Sequence, residues 1–137
     1  MIEQVLKAFA ALGFKVNTLT HGVYIFYFEG RQYILFNNDN DESCLRIVTV
    51  VYTADNDTEK EYVGSLKLHQ ITNSFNEKIK YVKAYTEEDK VFLAYEHKII
   101  GDVHFEDVIT AMILHLHTAI QCIEENLEDF DSETKTD

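Results

Sequence analysis

Proline is absent from this 137-residue chain, so it holds no proline-rich docking motif. Glycine is sparse. Its five copies stand apart at positions 13, 22, 30, 64 and 101. A phosphate cradle or a dinucleotide fingerprint needs several glycines in one turn, and neither is present. Cys44 and Cys122 are the only cysteines. Two such distant residues make no disulfide framework and no zinc ribbon. Basic residues number 12 against 24 acidic ones, for a net charge of −12. No basic run interrupts that field, so neither nucleic acid nor an anionic membrane is an expected partner. No apolar run reaches the roughly 18 residues of a membrane-spanning helix. No charged-then-apolar leader opens the sequence, and a reduced, cytoplasmic compartment is the expectation.

What is present is ordinary globular material, 46% hydrophobic and 26% charged. The length suits one domain, at roughly 100–200 residues each. The acid is unevenly spread: residues 124–137 hold seven acids and one base, half of the net charge. The simplest reading of an acidic tail over 128–137 is a frayed, solubilising terminus; a tail that docks a basic partner is the other.

Apolar residues at helical spacing (Ile2, Val5, Leu6, Phe9, Leu12) followed by Gly13 predict a first helix over 2–12. Residues 16–28 then alternate, with β-branched and aromatic side chains on both parities, as in a strand covered on both faces. Glu29-Gly30 reads as a turn and 32–36 as the returning strand. A polar loop over 37–43 leads to a third strand over 45–52. Thr58 with Glu61 forms a capping-box pattern that opens a second helix running to about Phe75. Its inner stripe is Gly64, Leu68, Ile71 and Phe75. Residues 81–85 and 91–99 flank an acidic turn and read as a second hairpin. The last helix, 105–127, carries the strongest stripe: Phe105, Val108, Ile109, Met112, Leu116, Ala119, Ile120, Ile123 and Leu127. The fold class is therefore α+β in the order α-β-β-β-α-β-β-α: two layers, with a mainly antiparallel five-stranded sheet and helices on one face.

The search for chemistry is mostly negative. Gly64-Ser65 lacks the second glycine of a hydrolase elbow. His104-Phe105-Glu106 matches half of a zinc deaminase signature whose other half needs a proline and paired cysteines. Asp39, Asp41 and Ser43 begin like a calcium loop, but Cys44 and Val50 occupy the required Gly and Glu positions; Asp55, Asp57 and Glu59 fail likewise at Lys60 and Leu66. His115 and His117, two residues apart on one helix, point roughly 200° apart and cannot share a metal. Cys122 borders the inner stripe as a small core residue, and Cys44 begins a strand. No catalytic residue, cofactor or metal site is expected.

The element order, with the stretch Leu68-His69-Gln70-Ile71-Thr72-Asn73-Ser74-Phe75-Asn76 closing the second helix, resembles the YbjN-like family of bacterial proteins, related in fold to type III secretion chaperones. The family pattern is an apolar helix ending in Asn-x-x-Asn, here Asn73 and Asn76. A strand such as 80–85, an acidic turn, a strand such as 91–95 and a long apolar helix follow. The resemblance spans nearly the whole chain. It implies a single secretion-chaperone-like domain over 1–127, usually dimeric and non-enzymatic, sometimes labelled a sensory transduction regulator. This chain departs from the pattern in its six histidines and acidic tail. Asn76 also reads more plainly, as a helix C-terminal cap.

A non-catalytic interaction domain, chaperone-like or regulatory and working as a homodimer, is thus the leading expectation, with a protein partner unidentified. The alternative is a small-molecule or metal-binding sensor that uses the Tyr/Phe-rich sheet as a pocket. Apolar occupancy of both strand parities implies that the strand faces left bare by helices are buried between subunits, with Tyr24, Phe26 and Phe28 as candidate interface residues. Leu114 falls about 180° from the inner stripe of the last helix and is expected in a protein–protein contact.

Overall fold

The computed structural model describes residues 1–37, 43–53, 58–87 and 90–135, without the side chains of 58–65 and 128–135. Helix α1 (Ile2–Ala11) buries Val5, Ala8 and Phe9. It stops where the sequence predicts. Gly13, at φ +91°, takes the left-handed position, its N–H bonding the Ala10 carbonyl while Phe14 N–H bonds the Phe9 carbonyl, both at 3.0 Å. The Phe14 ring then packs edge-on to Phe9 at 5.7 Å.

Strands β1 (Asn17–Thr20), β2 (Val23–Phe28), β3 (Arg31–Asn37), β4 (Cys44–Thr53), β5 (Val82–Glu87) and β6 (Lys90–Lys98) form one antiparallel sheet in the order β1-β2-β3-β4-β6-β5. The expectation of five strands is corrected to six. The run read as one strand over 16–28 is divided at His21-Gly22, because Gly22 adopts φ +76°, where an added Cβ would stand 3.0 Å from the Asn37 carbonyl oxygen. The four polar-rich residues before that turn become an exposed edge strand.

Helix α2 (Thr58–Lys78) starts at the predicted threonine and buries Leu68, Thr72 and Phe75. The Thr58–Glu61 pair and Gly64 lie outside the described side chains, as the acidic loop residues 39, 41, 55 and 57 lie outside the described residues altogether. Helix α3 (Phe105–Lys135) buries Ile109, Met112, Ile113, Leu116, Ala119, Ile120, Ile123 and Leu127. The predicted stripe is widened by Ile113, and its first two members, Phe105 and Val108, are only partly buried against the core. Cys122 is exposed rather than a core residue, one position around from the buried Ile123. The α3 backbone runs into the acidic segment as far as Lys135.

All three helices contribute to one core, which they share with Phe26, Tyr33, Leu35, Leu45, Ile47, Leu93, Val82 and Ala84 of the strands. Strand register puts these residues on a single sheet face. The buried Thr49 hydroxyl on β4 donates to the Gln32 carbonyl at 2.8 Å. Arg31 binds α3 to the sheet: one guanidinium nitrogen donates to the Val50 carbonyl at 3.0 Å and another to the Glu124 carboxylate. Burial raises the pKa of the neighbouring Tyr33 hydroxyl, which Arg31 partly offsets and Glu124 reinforces.

At the start of α3, His104 Nδ1 lies 2.9 Å from Asp107 Oδ2. The deaminase-like triplet thus serves as a helix entry, with acid at the positive end of the helix dipole. The hydrogen bond to Asp107, then its charge, raise the His104 pKa above the ordinary histidine value. Because the folded value is raised, the stabilising contribution is complete at acidic pH, below the ordinary value. It disappears as pH climbs through the raised one. NMR titration should show His104 elevated in the native chain and returned to the ordinary value in Asp107→Asn. Separately, Phe26→Ala should cost about 3–5 kcal/mol in chemical denaturation, as deletion of a buried aromatic does; a surface residue would cost almost nothing.

Candidate interaction surface

The second face of the sheet carries no helix among the described residues. Register across the strands sorts its side chains into rows. The central row is Ala94, Val48, Ile34 and Ile25, across β6, β4, β3 and β2. On one side lie Tyr85, Phe92 and Val50; on the other lie Glu96, Arg46, Phe36 and Val23. Tyr85 and Phe92 stack at 5.1 Å with an interplanar angle of 11°. Val48 and Ala94 are buried beneath their neighbours, Ile25, Ile34, Phe36, Val50 and Phe92 are half-buried, and Tyr27 is 58% exposed. The result is a broad apolar surface of the kind monomers seldom leave bare.

Arg46 stands within this surface, between β3 and β6. The Arg46 guanidinium lies 5.3 Å from the Phe36 ring centroid, a cation–π distance, and donates to the Tyr85 hydroxyl at 3.2 Å. Its Nε is 3.3 Å from Glu96 Oε1, at ion-pair distance but without the angle of a hydrogen bond. The exposed carboxylate therefore screens Arg46 more than it anchors it. An open depression of about 410 Å³ beside the β2–β3 turn is lined by Arg31, Gln32, Ile34, Thr49 and Val50.

The expected interface residues divide. Phe26 is fully buried against Phe9 at 4.7 Å and stacks on Tyr33 at 5.3 Å, so its assignment to a bare face is corrected. Tyr24 and Phe28 share its parity and pack half-buried against the same core. The other parity of β2, holding Val23, Ile25 and Tyr27, is the open one. β2 has no polar residue on either parity to mark the solvent side. The signal lies in its neighbours, where Gln32, Arg46, Lys83 and Glu96 all fall on the parity that proves open. Leu114 is 52% exposed on the outer side of α3, away from the buried stripe.

The asparagine pair also divides. Asn73 is exposed at the surface. Asn76 reaches the outer edge of β5, where Nδ2 donates to the Ala84 carbonyl at 2.9 Å and Oδ1 accepts from Ala84 N–H at 2.7 Å. Its side chain thus imitates a neighbouring strand. The plain cap reading of Asn76 gives way to this pairing. One step earlier, Val82 N–H turns back to the Lys80 carbonyl at 2.8 Å through Tyr81, a γ-turn with φ +71°. A non-glycine residue held at positive φ is strained. Its 70% exposed ring lies 5.3 Å from His115, which also stacks on Tyr95 at 5.9 Å. Burial, then Tyr81, raise the Tyr95 pKa. His117 turns away to Phe28 at 5.4 Å, so the two histidines diverge. Among the described residues, no three His, Cys, Asp or Glu side chains converge on a metal-sized site.

These contacts occupy backbone groups that an edge strand otherwise offers to another chain. Asn76→Ala should lower stability by about 1–2 kcal/mol, because it strands both a donor and an acceptor. Asn73→Ala should leave the denaturation midpoint unchanged.

No protein-family model and no curated protein sequence matches the chain. Solved structures do. The crystal structure of YbjN from E. coli, a proposed transcription regulator, superposes with a TM-score of 0.69 at 12% identity, covering 94% of this chain and 93% of that one. An uncharacterised protein from Methanothermobacter thermautotrophicus superposes at 0.63 with 13% identity, over 93% and 96% of the two chains. The fold seen in YbjN is therefore the fold of this chain, over nearly its whole length.

Proposed function

We propose that the chain is a non-catalytic protein-interaction domain, chaperone-like or regulatory, that acts as a homodimer. The observation that carries this reading is the apolar open face of the sheet, where half-buried Ile25, Ile34, Phe36, Val50 and Phe92 adjoin exposed Tyr27. Association hides such a surface with little further side-chain ordering where strand side chains are already held in place. The fold likeness to a proposed regulator supports the same direction without naming a partner.

No described helix is long and apolar enough to cross a membrane. With a net charge of −12, the reading places the domain in the cytoplasm with a protein partner rather than nucleic acid or a lipid surface. The acidic segment over 128–137 keeps it soluble. Exposed Leu114 on α3 is a further candidate protein–protein contact.

Sedimentation equilibrium of the full chain at micromolar concentration tests the homodimer. The expected result is a reversible monomer–dimer equilibrium. A single monomeric species through the submillimolar range contradicts it.

A further inference from the structure

We infer that the open sheet face docks an acidic amphipathic helix of a partner protein, whose apolar stripe lies on the strands and whose flanking carboxylates meet a cationic corner of the face. This rests on the protein-interaction reading and names an occupant that competes with a second copy. Strand register gives the face an apolar field, in which Ile25, Tyr27, Ile34, Val50 and Phe92 fill neighbouring positions of β2, β3, β4 and β6. One corner of it is cationic. Arg46 lies directly across from Glu96, Lys98 stands two residues further along β6, and Lys83 of β5 lies across from Ala94. Three cations thus surround one carboxylate, within about 14 Å at ordinary strand spacing and rise. Lys90 does not join them, because it faces Glu87 at the far end of β6. Lys83 and Lys98 are exposed, and among the described residues neither is paired with a carboxylate.

The charge of this corner selects the partner. Glu96 is already drawn to Arg46, so the two lysines keep their charge for whatever covers them. A wholly apolar surface laid over them desolvates both and offers nothing in return. A second copy brings the same corner with it. It covers the apolar field but supplies the lysines with no unshared carboxylate. A partner that carries carboxylates beside its apolar side chains satisfies both parts of the face. A helix is the form that does so, because an apolar stripe and charged flanks fit together on its circumference. Helices laid on strands are also the packing that the buried face of this sheet already uses. The effect is local. Screening at physiological salt limits charge effects to roughly 8 Å, so carboxylates seated here sense the three cations more than the −12 of the whole chain.

The test uses two designed helical peptides with the same leucine stripe, one flanked by glutamates and the other by lysines. Fluorescence anisotropy measures their binding to the full chain at physiological salt. A chain of −12 attracts the lysine peptide non-specifically, so a preference for the glutamate peptide reports the local corner. The glutamate peptide should bind about tenfold tighter or more. Lys83→Glu combined with Lys98→Glu should weaken it about tenfold or more and strengthen the lysine peptide, with circular dichroism unchanged. Tyr27→Glu should weaken both peptides and Leu114→Glu neither. If the double variant loses its fold, Lys83→Gln with Lys98→Gln decides. Equal binding of the two peptides, tighter binding of the lysine peptide, a glutamate peptide indifferent to the two lysines, or no binding through the submillimolar range each overturns the inference. A native dimer that Tyr27→Glu dissociates and neither peptide displaces makes a second copy the occupant, and overturns it too. The homodimer reading stands or falls separately, by sedimentation equilibrium: a free chain that stays monomeric yet binds the glutamate peptide overturns the homodimer alone.

Discussion

The burial of α3 against one sheet face sets the geometry of everything else. Its stripe from Ile109 to Leu127 is met by Tyr33, Leu35, Ile47 and Leu93 from three adjacent strands. Helix α1 joins this core at the β2 end through Phe9 and Phe26, and α2 at the β5 end through Leu68 and Phe75. Three helices side by side fill the width of one face. A six-stranded sheet has a second face of equal width, and the described helices leave it uncovered. The apolar rows there belong to strands whose register the buried face has already fixed, since a slip of one residue would exchange the two faces.

The edges of the sheet are managed unequally. At β5, the Asn76 side chain and the turn through Tyr81 occupy outward-facing backbone groups. At the other end, β1 is short, polar-rich and fully exposed, which makes it a poor template for further pairing. Association by extending the sheet is thus discouraged, whereas association through its open face is not. That asymmetry leaves the open face, rather than either edge, as the surface available for association.

The parts legible in sequence are those with one strong period or one unambiguous stop. The α3 stripe, the Gly13 termination and the outward placement of Leu114 all follow from helical spacing. The β1–β2 division was not legible, because Gly22 directly precedes the alternating Val23–Phe28 and the β-branched residues before it read as the same strand. The facing of β2 was not legible either: with Tyr24, Phe26 and Phe28 on one parity and Val23, Ile25 and Tyr27 on the other, hydrophobicity alone does not choose. Phe9 and Phe14 choose, by arriving over Phe26. Asn76 reads as a local cap because sequence shows only its chain neighbours. Its partner, Ala84, comes within reach through the turn that follows α2.

The central claim is that the chain associates through its open sheet face. Hydroxyl-radical footprinting by mass spectrometry, repeated across protein concentration, tests it residue by residue. The account predicts that Tyr27, Phe36 and Phe92 become protected as concentration rises while Leu114 stays equally reactive. Protection that develops at Leu114 with Tyr27, Phe36 and Phe92 unchanged would contradict it.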